Sequence, residues 1–170
     1  MPELVLPNPQ WSKHFSSLKT KLTAPLPPVF LAVEHIGSTA IPELKAKNIV
    51  DVQCAIEDFS QMPQVDALLS QLGFQCLTHV QQDHIPFAPA NAFHPDWEKR
   101  FYQGVIGVQP FNLHIRRLRG KNWRFALSFR DYLRDDAQAR MCYQQFKERL
   151  ATAKVSFKDY CLINWTLDKS

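Results

Sequence analysis

The 170-residue chain is 45% hydrophobic and 21% charged with a net charge of +4, the proportions of an ordinary globular protein and the size of one domain, expected over 1–170. Its 12 prolines and 5 glycines are scattered without a repeat, which excludes collagen, coiled coil and low-complexity disorder. The longest apolar runs, such as Val29 to Val33, fall far short of the roughly 20 residues that span a bilayer. Met1-Pro2-Glu3-Leu4 has no basic patch followed by an apolar stretch, so a cytoplasmic location without membrane contact is expected. The four cysteines, Cys54, Cys76, Cys142 and Cys161, form no C-x-x-C pair and read as buried reduced thiols. Charge is divided: residues 1–85 carry a net −3 and residues 86–170 a net +7. The excess gathers at Arg116, Arg117, Arg119, Lys121, Arg124, Arg130 and Arg134, a distribution suited to an anionic partner or to a solvated helix face.

Asn8-Pro9 reads as a helix start, and Trp11, Phe15, Leu18 and Leu22 then form one apolar stripe, stopped by Pro25, Pro27 and Pro28. The branched run from Val29 to Ile36 predicts a strand ending at Gly37-Ser38-Thr39, and Ile49 to Ile56 predicts a second. Val65, Leu68, Leu69 and Leu72 mark a helix closed by Gly73, followed by a short strand from Phe74 to Thr78. The polar segment Gln81 to Asp96, with His84 and His94, reads as a loop in which neither histidine has metal-ligand spacing. Arg100 to Val108 and Phe111 to Arg117 predict a hairpin turning at Gln109-Pro110. From Trp123 the pattern is helical, with a second helix after Asp135-Asp136 and a weakly helical end from Asp159 to Ser170. The sum is an α+β fold: a mixed sheet of about five strands, helices mainly on one side, and a C-terminal helical region.

Two constellations carry chemistry. A strand that ends in Gly37-Ser38-Thr39 lets a phosphate approach the backbone, with the hydroxyls adding hydrogen bonds. On the following strand, period-two alternation puts Val50, Val52, Cys54 and Ile56 on one face and Asp51 with Gln53 on the other, beside that turn. A carboxylate there can hold Mg²⁺ against a bound phosphate. By the same alternation His114 and Arg116 point into the cleft, while Arg130 and Arg134, four apart, share a helix face and can reach a phosphate bidentately. His114 then reads as a proton donor, a proton acceptor or a neutral hydrogen-bonding partner, or as a structural histidine. His35 reads as structural. Trp123, Phe125, Phe129 and Tyr132 are interleaved with arginines, which permits base stacking, but the helical spacing of Phe125 and Phe129 favours core for those two.

The stretch from Glu34-His35-Ile36-Gly37-Ser38-Thr39-Ala40-Ile41-Pro42-Glu43-Leu44 to Asn48-Ile49-Val50-Asp51-Val52 resembles the signature of the GrpB family. Phe129-Arg130-Asp131-Tyr132-Leu133-Arg134 with Tyr143 to Lys147 resembles a second family block, and Phe111-Asn112-Leu113-His114-Ile115 its histidine-bearing strand. The resemblance spans roughly residues 8 to 152 and implies a nucleotidyltransferase-like fold of the DNA polymerase beta type. That superfamily places two acids one residue apart after the Gly-Ser turn and a third on a later strand, holding two metal ions. Here Asp51 matches the first, Gln53 replaces the second, and Asn112, His114 and Arg116 offer no third. Glu43 stands where the family usually has glycine. The resemblance thus implies a nucleotide or other phosphorylated small molecule as ligand, with Mg²⁺-dependent nucleotidyl transfer through Asp51, assisted by Gln53 and His114. The alternatives are a catalytically silent binding module, or RNA binding through the basic half. Family members occur fused to a dephospho-coenzyme A kinase, which suits a coenzyme A-related ligand or an accessory role.

Overall fold

The computed structural model describes residues 3–85, 89 and 92–152. Four helices and five strands follow in the order α1 (Gln10–Thr23), β1 (Ala32–Ile36), β2 (Val50–Ile56), α2 (Met62–Gln71), β3 (Gln75–Cys76), β4 (Lys99–Ile106), β5 (Gln109–Arg117), α3 (Lys121–Asp135) and α4 (Ala137–Thr152). The sheet runs β1-β2-β5-β4-β3. Only the central β2–β5 pair is parallel; its neighbours are antiparallel. This is the mixed five-stranded α+β sheet that the sequence predicts.

One face of the sheet is apolar and carries the core. Val50, Val52, Cys54 and Ile56 of β2 lie beside Phe111, Leu113 and Ile115 of β5, all buried. Against them pack Trp11, Leu18 and Leu22 from α1 and Val65 and Leu69 from α2, so both amphipathic stripes bury where the hydrophobic effect sends them. The Asn8 side chain accepts a hydrogen bond from the Gln10 N–H at 2.9 Å, which starts α1. Gly73, at φ +84°, ends α2 in the left-handed region, with Phe74 N–H returning to Leu69 O at 2.9 Å. The opposite face of the sheet is polar, and α3 and α4 stand over it. The expected one-sided helix layer therefore describes α1 and α2 but not the C-terminal pair.

Three further expectations shift. β1 begins at Ala32 rather than Val29, and β3 is only two residues long. The hairpin turns at Gly107-Val108, with Ile106 opposite Gln109; Gly107 supplies the positive φ of +62° that a two-residue turn needs. Among the described residues Cys54, Cys76 and Cys142 are free thiols, but only Cys54 is buried; Cys76 is half-buried and Cys142 exposed. The end from Asp159 to Ser170, Cys161 included, lies outside the described residues.

Gly104 shows how tightly β4 meets the core. A Cβ built there would sit 2.6 Å from Cδ1 of the Phe74 ring, which packs edge-on against Phe111. The ring is boxed in and cannot swing away freely. Gly104→Ala is expected to destabilise the fold by about 1–3 kcal/mol through overpacking, read as a lowered midpoint in urea or thermal unfolding; an unchanged midpoint would contradict this packing.

Candidate functional site

Register decides which side chains meet on the polar face. Asp51 pairs with Asn112, Gln53 with His114, and Ala55 with Arg116 across β2–β5. Lys99, Phe101 and Gln103 of β4 lie opposite Arg116, His114 and Asn112, and Ile36 and Glu34 of β1 lie opposite Asp51 and Gln53. Directly paired residues share a face, so one polar surface runs across four strands. Above it α3 contributes Phe125, Phe129 and Arg130, and α4 contributes Tyr143 and Lys147. The space between is a cavity of about 680 Å³, ample for a nucleotide-sized ligand.

At the floor, the Asp51 carboxylate lies directly over Gly37. A Cβ on Gly37 would come within 2.6 Å of Asp51 Oδ2, and φ there is +70°, so only glycine fits both the turn and the carboxylate. Asp51 Oδ1 accepts from Asn112 Nδ2 at 2.9 Å and lies 3.6 Å from His114 Nε2. Burial and the nearby Arg116 and Lys99 cations outweigh Asp51 and lower His114 to about 4, so the imidazole is neutral at physiological pH, with Nδ1 buried and unpaired among the described residues. His35 is on the other face, stacked on Phe15 with ring centroids 4.9 Å apart. Its Nε2 is 3.0 Å from Thr39 Oγ1. Burial lowers His35 to about 4 as well. It is the structural histidine expected, and it occupies the Thr39 hydroxyl.

Beside His114 lies a buried charge cluster that the sequence did not disclose. Asp83, 2% exposed, accepts from Lys99 Nζ at 2.6 Å, from Arg116 Nε at 2.9 Å and from Asn122 Nδ2 at 3.0 Å. Burial alone would raise its pKa, but Arg116 and Lys99 hold the carboxyl well below the usual range. Arg116 Nη1 donates onward to Gln53 Oε1 at 2.7 Å, and Gln53 Nε2 to the Trp123 carbonyl at 3.4 Å. Gln53 is fully buried. Arg116 and Gln53 therefore brace α3 against the sheet rather than presenting free groups to a ligand, and the segment carrying Asp83 is fixed by its backbone bond to Trp97 O at 2.8 Å.

Arg130 and Arg134 of α3 share a face as expected, but the protein itself occupies them. Arg130 Nη1 donates to Glu34 Oε2 at 2.9 Å and to His35 O at 3.0 Å, and its Nε to Asp131 at 2.7 Å. Arg134 donates twice to the Ala40 carbonyl, at 2.9 and 2.8 Å. Both clamp α3 onto the turn that carries Ser38. Glu43, the residue in the glycine position, does adopt φ +64°, and its carboxylate meets Arg140 at 3.1 Å. His94 accepts from Asp96 N–H at 3.1 Å within its own turn. Part of the His84–His94 segment lies outside the described residues.

The cation that does face Ser38 is Lys147, whose role was not foreseen. It is 3% exposed and donates to Ser38 Oγ at 2.7 Å and to Lys45 O at 2.8 Å. Both partners are neutral. Burial lowers its pKa to about 8, against an opposing pull from Asp51. A signal was present: Tyr143, Lys147 and Leu150 share one stripe of α4, so a lysine occupies an apolar position.

Mg²⁺ asks for a near-octahedral set of oxygens, usually with more than one carboxylate or a bound phosphate. Among the described residues the cleft offers Asp51 alone of the carboxylates, with Asn112 already donating to it and the ammonium of Lys147 close enough to feel its charge. Among the described residues no three His, Cys, Asp or Glu side chains converge. The donor set does not fit a resident Mg²⁺ pair.

A family model described as GrpB protein matches residues 1–163. A dephospho-CoA kinase of Mycolicibacterium paratuberculosis is 30% identical over 155 residues, covering 85% of this chain and 38% of that protein. The UPF0157 protein YqkA of Bacillus subtilis is 26% identical over 154 residues, covering 88% and 39%. The chain thus spans well under half the length of these relatives. The crystal structure of conserved protein GrpB from Enterococcus faecalis superposes with a TM-score of 0.71 at 23% identity, over 94% of this chain and 88% of that one, a likeness of fold. No helix among the described residues is long and apolar enough to cross a membrane.

Asp83→Asn would leave Lys99 and Arg116 buried without their countercharge, and should cost about 3–5 kcal/mol at pH 7. Because the folded carboxyl titrates below its unfolded value, this contribution is present above about pH 4 and lost as pH falls through and below it. Urea unfolding of both proteins should therefore show a gap that is full above about pH 4 and narrows steadily as pH falls below it; equal stabilities at pH 7 would contradict the cluster.

Proposed function

The chain belongs to the GrpB family, and from that premise we propose that its cavity binds a nucleotide or another phosphorylated small molecule, with the phosphate seated at Lys147 and Ser38. The observation that carries this reading is the setting of Lys147, a buried ammonium at the cavity wall whose hydrogen-bond partners are a hydroxyl and a carbonyl. An anion there would gain a charge-assisted hydrogen bond and hold the amine protonated. Excess positive charge points the same way, since Lys99 and Arg116 share the single carboxylate of Asp83.

The rest of the cavity suits the remainder of such a ligand. Phe101, Phe125 and Phe129 offer aromatic surface for a base, and Asp51 with Asn112 can take sugar hydroxyls. The name dephospho-CoA kinase, carried by relatives that share this region, directs the first choice of ligand to coenzyme A and its dephospho form. We read the nucleotidyltransferase-like arrangement of Gly37, Ser38 and Asp51 as a binding scaffold. Transfer through two metal ions is not supported, because Gln53 is buried beneath Arg116 and no second carboxylate among the described residues joins Asp51. The RNA reading is weaker, because Arg116, Arg130 and Arg134 are occupied within the protein.

Calorimetric titration with coenzyme A, dephospho-coenzyme A and ATP tests the proposal. At least one should bind, equally well in EDTA and in Mg²⁺. Lys147→Met should weaken that binding roughly 10- to 100-fold, the worth of a charged hydrogen bond. Binding that needs Mg²⁺, or that ignores Lys147→Met, would contradict it.

A further inference from the structure

We infer that Ser38 and Lys147 form a serine–lysine pair in which Ser38 Oγ can take an acyl group from an activated ester or thioester while Lys147 Nζ accepts the hydroxyl proton. The inference concerns the cavity described above but does not need a phosphorylated ligand.

A serine hydroxyl is a poor nucleophile until a base stands within hydrogen-bond reach, and a lysine serves only where it can lose its proton near neutral pH. Ser38 and Lys147 meet both conditions. The Nζ–Oγ distance is 2.7 Å, within the range of a nucleophile and its base. The amine is aimed by a second bond to the Lys45 carbonyl at 2.8 Å, and that strand-to-strand segment is itself held to α4 by Lys45–Glu148 at 2.8 Å. Burial brings Lys147 down to about 8. The charged groups facing it are few. Asp51 on β2 raises its pKa and Lys47 lowers it, while His114 on β5 is neutral.

Ser38 is placed for attack. It opens the single helical turn Ser38–Ala40 directly after Gly37, is only partly buried, and lines the cavity with Asp51. The double grip of Arg134 on the Ala40 carbonyl fixes the turn. In the step proposed, Oγ attacks the acyl carbon, the Oγ–C bond forms and the bond to the leaving group breaks with its electron pair. The hydroxyl proton passes to Nζ and then to the leaving group. Water attacking the acyl-serine by the same route restores Ser38. A phosphate seated on Lys147 would keep the amine charged and block this step, so the two uses of the site exclude each other at any moment.

The test uses the whole chain and p-nitrophenyl acetate, a small activated ester. After a brief reaction at pH 9, peptide mapping should place one acetyl group on Ser38, with nitrophenol released in a burst. Labelling rate should rise through about pH 8. Lys147→Arg keeps a donor in place but cannot act as a base, so it should slow Ser38 labelling at least about 100-fold, with folding checked by thermal unfolding. A folded wild-type chain with no acetyl on Ser38 would overturn the inference, as would acetyl on lysines alone. Should Lys147→Arg fail to fold, the wild-type pH profile decides: a rate flat from pH 7 to 9 would overturn the pair. Ligand binding measured separately stands or falls independently of these results.

Discussion

The arrangement turns on one buried carboxylate. Asp83 has two cations on it, Lys99 and Arg116, and almost no water around it. Desolvating these three charges is costly, and close contact with full hydrogen bonding offsets that cost. Without Asp83 neither cation has a buried anion within reach, Arg116 loses the orientation that lets it meet Gln53, and Gln53 loses its reason to face the Trp123 carbonyl. That chain of contacts connects Asp83, the sheet and α3. The cavity exists because α3 is held at that distance from the polar face.

The same neutralisation sorts the basic residues by role. Arg116 stabilises, and Arg130 and Arg134 clamp the turn around Ser38 from outside. Lys147 differs from all three, since its described partners bear no charge. A cation in that setting is free to accept an anionic ligand or to give up its proton, and no arginine could do the second. Asp51 is likewise tuned by its neighbours: seated over Gly37 and held by Asn112, it has a fixed orientation but, among the described residues, no second carboxylate with which to share a metal.

Much of this was legible in the sequence, for reasons that can be traced. Alternation along Val50–Ile56 and Phe111–Arg117 gave the faces, and parallel pairing of those strands brought Asp51, Gln53, His114 and Arg116 together. The strand end at Gly37-Ser38-Thr39 and the helix stop at Gly73 were readable from residue type. Asp83 was not, because it comes from an irregular segment with no periodicity, and its partners are 16 to 39 positions away. Lys147 left a trace as a lysine on an apolar stripe, but the role of its amine depends on Ser38, 109 positions distant. The occupation of Arg116, Arg130 and Arg134 was equally hidden, since alternation tells where a side chain points and not what already fills its donors. Glu43 is the instructive reverse: the departure from glycine was visible, and the backbone keeps the glycine-like φ regardless.

A crystal structure of the chain with inorganic pyrophosphate tests the account most directly, because it asks which cation the anion chooses. The account predicts the anion within hydrogen-bond distance of Lys147 Nζ and Ser38 Oγ, with Arg116 still on Asp83 and Arg134 still on the Ala40 carbonyl. An anion bound instead by Arg130 and Arg134, or one that draws Arg116 away from Asp83, would contradict it.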